Sequence, residues 1–239
     1  MASFHTPRGN AEILYEDGDV IVFSKPAGVL SERAEGSSER SVLDFLSEYT
    51  VGDVFPVHRL DRSTAGVMLA AKSREAAAAL SSLMTSGGIH KEYIAVVLGN
   101  TPPSGRLEDE LFFDRRAKKA YVVKAGKRGA KHAALEYERI SSGETEGYPI
   151  SVLKVRLFTG RTHQIRVQLA NAGYPLAGDG RYGGGKVKYP SALRSYRISF
   201  DENAVRNSYF DRRPFGKYLS EHGYSLAESS GSAEELCSS

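Results

Sequence analysis

The residues best suited to chemistry stand in one short segment, which reads His-Arg-Leu-Asp-Arg-Ser-Thr-Ala-Gly over positions 58–66. It holds three basic side chains, one carboxylate and two hydroxyls, and it leads directly into the apolar run Val67–Ala71. Charged groups beside a core strand cost desolvation free energy, so such a cluster is usually either functional or tightly hydrogen-bonded. The segment therefore predicts a functional carboxylate at Asp61 or, alternatively, a structural turn that is stabilised by an Asp–Arg pair.

A second segment, Gly-Arg-Thr-His-Gln-Ile-Arg-Val-Gln-Leu over positions 160–169, begins a predicted helix Thr162–Ala172. His163 and Arg166 are three residues apart and would share one face of that helix. Arg161 would lie at its amino end, where free backbone N–H groups favour anions. The segment predicts an anion or phosphate site, with a solvated helix face as the alternative.

Basic residues crowd into positions 115–131, called here the basic cluster: Arg115, Arg116, Lys118, Lys119, Lys124, Lys127, Arg128 and Lys131. Phe112, Phe113 and Tyr121 are interleaved with them. This pattern fits either a solvated loop or strand face, or a surface that binds a polyanion.

Periodicity predicts the elements that position these segments. It indicates helices after Ser41, at Arg74–Met84 and at Thr162–Ala172. The predicted strands are Ile13–Tyr15, Val20–Phe23, Val67–Ala71, Glu92–Leu98, Tyr121–Lys124, Ala133–Arg139, Ile150–Leu157 and Tyr196–Phe200. We expect one α+β domain over 11–215 with a long mixed, mostly antiparallel sheet flanked by helices. Residues 1–10 are expected to be flexible and 216–239 to form a disordered tail.

Composition narrows the class of protein. The chain has 239 residues, a formal net charge of +3 and a single cysteine, Cys237. One cysteine excludes a disulfide framework and a multi-cysteine metal site. The sequence has no apolar run of 18 residues, and the polar start does not resemble a signal peptide. We expect a cytoplasmic protein that is not embedded in a membrane.

Five short motifs, in this order, resemble those of the RluA-type pseudouridine synthases. The run over 58–66 is similar to their catalytic His-Arg-Leu-Asp-x-x-Thr-x-Gly, and the run over 160–169 to their Gly-Arg-Thr-His-Gln-Ile-Arg. The other three are Lys25-Pro26-Ala27-Gly28, Lys91-Glu92-Tyr93 and Tyr174-Pro175-Leu176-Ala177-Gly178-Asp179. The resemblance covers roughly 13–200, and we expect no S4-like RNA-binding module before it. Ala65, Gln168 and Arg194 depart from the usual family residues.

The resemblance implies an isomerase (an intramolecular transferase) that converts uridine to pseudouridine in rRNA or tRNA, acting as a monomer. It implies no cofactor and no metal ion. Asp61 would be the essential carboxylate, Arg166 its ion-pair partner and Tyr93 the residue that stacks on uracil, unless Tyr93 only packs in the core. Arg59 would fill the space of the flipped base, unless it only pairs with a nearby carboxylate. The remaining residues expected to bind substrate are Lys25, His58, Arg161, His163 and Gln164.

Two other functions fit the same residues. A non-catalytic RNA-binding module would need the basic residues but no carboxylate among them. A nucleoside hydrolase would usually need a second carboxylate, and none stands beside Asp61 or within 160–169.

Overall fold

The computed structural model describes residues 2–33, 36–188 and 192–227, and in these ranges the chain forms twelve strands and five helices. In chain order they are β1 Ser3–Thr6, β2 Gly9–Glu16, β3 Val20–Lys25, α1 Val42–Thr50, β4 Phe55–Pro56, β5 Ala65–Ala71, α2 Arg74–Thr85, β6 Ile89–Leu98, β7 Ser104–Asp114, β8 Lys119–Val123, β9 Lys131–Thr145, β10 Tyr148–Leu157, α3 Gln164–Asn171, β11 Leu193–Phe200, α4 Glu202–Arg206, α5 Pro214–Glu221 and β12 Ser225–Ala227. The predicted α+β class is confirmed.

The chain divides into two compact units. Within the described ranges, the first unit contains residues 2–91 and 195–227, and the second contains residues 92–194. The limits of the expected domain, 11–215, stay a prediction. None of the helices in the described ranges is long and apolar enough to cross a membrane.

In the first unit the strands run in the order β1-β2-β3-β5-β11, with β4 paired to β5 and β12 to β11. Strand β5 is buried along its whole length, as a central strand should be. Its antiparallel register with β3 sets Leu69 opposite Val22 and Gly66 opposite Lys25. Helix α2 covers this sheet through Leu80 and other apolar side chains. Its small alanines favour helix formation.

The structure corrects the expectation that residues 1–10 are flexible and that the chain is disordered from residue 216 onward. Strand β1 pairs with β2, and Phe4 is buried against Phe23 at a ring-centroid distance of 5.6 Å. At the other end, α5 and β12 extend the fold to residue 227 and bury Phe215, Leu219 and Leu226 in the core. Both elements are too short to produce a clear periodic pattern, so the sequence did not reveal them. Residues 228–239 of the predicted tail lie outside the described ranges.

In the second unit the strand order is β6-β10-β9-β7-β8. Strands β9 and β10 form a long antiparallel hairpin with a register shift between Val152 and Leu153. Strand β7 was not predicted, because its first seven residues, Ser-Gly-Arg-Leu-Glu-Asp-Glu, are rich in charge, and Leu111 is the only buried residue of the strand. Helix α3 begins at Gln164, two residues later than predicted.

Candidate active site

Asp61 lies in a tight loop between β4 and β5, and its side chain is partly exposed. The loop is closed by the Thr64 amide, which donates to the carbonyl oxygen of Asp61 at 3.0 Å. At its far end, Gly66 has φ +109°, and a Cβ there would collide with the backbone of Ser195. Only glycine fits this close approach. The loop conformation is therefore fixed by local backbone contacts that leave the Asp61 carboxylate at the surface.

Lys25 is a buried cation beneath this loop. Its side chain is fully buried, and the ammonium donates to the carbonyl oxygens of Pro26 at 2.9 Å, Val29 at 2.8 Å and Arg62 at 3.4 Å. Burial lowers the pKa of Lys25 to about 8, while the negative charge of Asp61 acts in the opposite direction. Because the buried ammonium makes these bonds within the fold, its phosphate contact stays a prediction. Lys25 holds the loop from below.

His58 is likewise structural in this fold. Its Nε2 accepts a hydrogen bond from the Leu69 amide at 3.2 Å, which ties the start of the loop to β5. Burial, with a smaller effect from the charge of Lys91, lowers the pKa of His58 to about 3. The imidazole is therefore neutral at physiological pH, and because Nε2 accepts, the proton resides on Nδ1. The ring is buried and makes this bond within the core, and its contact with substrate stays a prediction.

Unlike Lys25 and His58, Arg59 is exposed to solvent. Its side chain is 71% exposed, and the distance from its Nη1 to Oε2 of Glu32 is 3.9 Å, at the limit of an ion pair. Such a weak, exposed pair contributes little free energy. Arg59 is therefore the residue of this loop whose guanidinium is free to reach outward.

In the second unit, the candidate residues gather around the Arg166 guanidinium. It makes a two-point pair with Asp179, with Nε 2.7 Å from Oδ2 and Nη2 3.0 Å from Oδ1. Burial alone would raise the pKa of Asp179, but the hydrogen bonds and charge of Arg166 outweigh it and lower that pKa. Asp179 was noted in the sequence only as part of a motif, and its role as the anchor of Arg166 was missed.

His163 and Arg166 meet through a third residue, Tyr182, which the sequence did not single out. His163 is the N-cap of α3, in the left-handed region at φ +57°, so the two residues do not share a helix face as predicted. Instead the Tyr182 hydroxyl lies 2.8 Å from Nδ1 of His163 and accepts from the Ala120 amide at 2.8 Å. The Arg166 guanidinium carbon lies 5.1 Å from the centre of the Tyr182 ring. Tyr182 therefore connects α3 with strand β8.

Gln164, predicted to bind substrate, makes three hydrogen bonds within the fold through its side-chain amide. Its Oε1 accepts from the Thr159 hydroxyl at 2.8 Å and from the Arg161 amide at 3.0 Å, and its Nε2 donates to the Ala134 carbonyl at 3.0 Å. Since it is also buried, Gln164 shapes the turn before α3 rather than facing a ligand. Arg161 is exposed, with Nε bound to the His132 carbonyl at 2.8 Å, and the rest of its guanidinium faces outward.

Tyr93 lies in β6 and is 6% exposed. This burial leaves open the two roles expected from the sequence, which are stacking on a base and packing in the core. Its assignment as a catalytic residue stays a prediction, as does the pairing of Arg166 with Asp61.

The basic cluster occupies the turn after β7, strand β8 and the turn into β9. Within the described ranges none of its eight cations makes an ion pair with a carboxylate. The carboxylate of Asp114 instead accepts from the backbone amides of Arg116 and Ala117. Lys119 and Lys127 lie over aromatic rings, the latter 4.4 Å from the centre of Phe112. Uncompensated positive charge beside exposed aromatic surface suits a polyanion.

Comparison with known proteins places these residues in a family. The family model for RNA pseudouridylate synthase matches residues 19–171. Ribosomal large subunit pseudouridine synthase D of Yersinia pestis is 35% identical over 181 residues, which are 72% of this chain and 53% of that protein. The same-named protein of Pseudomonas aeruginosa is 36% identical with the same coverage. The chain thus spans about half the length of these curated relatives.

Solved structures agree on the fold. Human RNA Pseudouridylate Synthase Domain Containing 1 superimposes with a TM-score of 0.69 at 23% identity, covering 80% of this chain and 78% of the human one. Human RNA Pseudouridylate Synthase Domain Containing 4 gives a TM-score of 0.65 at 20% identity, covering 82% and 85%. The RluA-type resemblance of the motifs is confirmed, and the chain belongs to the RNA pseudouridylate synthase family.

Proposed function

We propose that this chain isomerises uridine to pseudouridine in RNA, with Asp61 as the essential carboxylate. The observation that carries the proposal is the loop over 58–66. It presents one partly exposed carboxylate from a frame of backbone hydrogen bonds, inside the region that matches the family. A turn that served only stability would not need an acidic group at its exposed tip.

The reaction breaks the bond between ribose C1′ and uracil N1 and joins C1′ to C5, while C5 loses a proton and N1 gains one. The product is therefore an isomer of the substrate, and the net change requires no oxidant or reductant. Asp61 can attack C1′, attack C6 of the base or remove the 2′ proton, and each of these roles needs the ionised carboxylate. The Lys25 ammonium beneath the loop carries the opposite charge.

Tyr93 and Arg166 complete the proposed catalytic set. We assign Tyr93 to stacking on uracil and Arg166 to stabilising the charge of Asp61, as the family motifs imply. The Asp179 pair supports this role for Arg166, because a guanidinium held at two points is oriented before substrate arrives.

The proposed substrate is RNA, bound through the basic cluster with help from Arg161. The names of the curated relatives favour RNA of the large ribosomal subunit as the substrate class. A monomeric state and a cytoplasmic location stay predictions from the sequence.

The test is release of tritium from RNA that carries 5-tritiated uridine. We expect release by the wild type without free uracil, and none by Asp61→Asn, an isosteric change that removes the charge. Asp53→Asn, at an exposed site just before β4, is the matched control and should stay active. Free uracil would indicate a hydrolase instead. RNA binding with no release by the wild type would indicate the non-catalytic module.

A further inference from the structure

Ser31 contacts the backbone next to Asp61. Its hydroxyl donates to the Leu60 carbonyl oxygen at 2.8 Å and accepts from the Leu60 amide at 3.0 Å. The amide and the carbonyl of Leu60 are thus both hydrogen-bonded to one side chain, which is 29 positions away in the chain. Ser31 is 4% exposed, so water does not compete for these bonds.

The other side of Asp61 is held by the same segment of chain. The Gly28 amide donates to the Arg62 carbonyl at 2.7 Å, and the Arg62 Nε donates back to the Gly28 carbonyl at 3.1 Å. The residues before and after Asp61 are therefore both fixed to the segment 28–31. The peptide of Asp61 has little freedom to rotate between these two anchor points.

We infer that Ser31 is a positioning residue for the proposed reaction, acting on Asp61 through the Leu60 backbone. The inference rests on the proposed function and adds to it a residue outside the motif that contains Asp61. Effective attack requires the carboxylate within a near-attack distance, and a displacement of about 1 Å can reduce the rate by about 100-fold. Without the hydroxyl, both polar groups of Leu60 lose their partner and the loop can shift.

The experiment compares Ser31→Thr with Ser31→Val. The two side chains have the same shape and bring the same extra methyl group into a buried position, so only the hydroxyl differs between them. We expect Ser31→Val to have a kcat about 10- to 100-fold below that of Ser31→Thr in the tritium assay. KM for RNA should be alike in both, because Ser31 is buried and does not face the ligand. Hydrogen exchange of the Leu60 amide should be faster in Ser31→Val.

Two further variants distinguish a loss of positioning from a loss of folding. Ser31→Ala removes the hydroxyl without adding volume, and it should reproduce the kcat defect if Ser31→Val does not fold. Ser73→Ala removes the N-cap of α2, whose hydroxyl binds the Ala76 amide at 3.1 Å. It should lower the melting temperature while leaving kcat unchanged, which separates positioning from stability.

The outcomes also separate this inference from the proposed function. If the wild type releases tritium and the Thr and Val variants share one kcat, Ser31 does not position Asp61 although the enzyme assignment stands. If the wild type releases none, the proposed function fails and the role of Ser31 in it fails as well.

Discussion

Arg166 and Asp179 form a two-point ion pair in which both side chains are nearly buried, 11% and 9% exposed. The pair joins α3 to the segment that follows it, 13 residues along the chain. A buried pair of this kind adds little net stability over an apolar pair, but removing one partner leaves an uncompensated charge. The ion pair therefore acts mainly on orientation, because it fixes the plane of the Arg166 guanidinium.

The first prediction concerns Asp179→Asn. We expect it to lower the free energy of unfolding by up to roughly 3–5 kcal/mol, since it removes the two-point carboxylate partner of the nearly buried Arg166 guanidinium. It should also lower kcat, because the guanidinium loses its fixed orientation. Urea unfolding and the tritium assay measure the two effects. Unchanged stability at neutral pH would show that Arg166 has an equivalent second anchor.

The same variant gives a pH test. The pKa of Asp179 is lowered in the folded state, so its contribution to stability is present above the ordinary aspartate pKa and is lost as pH falls through the folded value. The stability difference between wild type and Asp179→Asn should therefore be constant from pH 8 to 5 and shrink below about pH 4.

His58 should make the protein sensitive to acid. Its pKa falls from 6.5 to about 3 on folding, so below pH 6.5 only the unfolded chain binds this proton and stability falls with pH. From pH 7.5 to 5 this loss amounts to about 2 kcal/mol. In His58→Gln an amide oxygen can accept from Leu69 without titrating, so that part of the loss should disappear. Equal losses in the two proteins would place the acid sensitivity elsewhere.

Much of the fold follows from local sequence signals. Ser41 and Ser73 cap the predicted helices, and the apolar run ending at Ala71 is the buried strand expected. These signals are readable because each involves residues within a few positions of one another. Strand β7 and the elements after Phe200 were not predicted, because their stability comes from contacts with distant segments. Examples are the pairing of β7 with β9 and of β12 with β11.

The candidate site shows the same limit. The motifs located Asp61 and Arg166, but residue type alone could not separate groups that face a ligand from groups that hold the frame. Lys25, His58 and Gln164 look like binding residues in sequence, yet each makes a hydrogen bond to a backbone group within the fold. Tyr182 was missed because its two partners are 19 and 62 residues away.

The basic cluster predicts a salt-dependent contribution to RNA binding. Neutralising Lys118, Lys124 and Arg128 to Gln should weaken binding and reduce the log–log salt slope by up to about 2, at roughly 0.7 per single-strand phosphate contact. The matched control removes the same charge elsewhere, through Gln at Arg206, Arg212 and Lys217. We expect a much smaller change of slope there. Equal changes in both variants would indicate a general charge effect and a solvated basic cluster.

The last prediction tests whether Arg59 acts in base flipping. A stacked, paired uridine must leave its neighbours before Asp61 can reach it, which costs a few kcal/mol and least for a base that is already unpaired. The exposed guanidinium of Arg59 can enter the vacated space and stack on the adjacent bases. Arg59→Ala should therefore slow single turnover on a stem-loop much more than on an unstructured oligonucleotide with the same uridine.

Glu32→Gln is the control for this experiment, because it removes the only carboxylate that the described structure pairs with Arg59. If Arg59 works by flipping, this variant should keep near wild-type rates on both RNAs, since the pair is weak and exposed. If Arg59 serves instead to support Asp61 through the ion pair, Glu32→Gln should share the defect of Arg59→Ala. Both substrates would then slow by the same factor, because the loss would lie in the chemical step. Equal losses on stem-loop and single strand would exclude the flipping role.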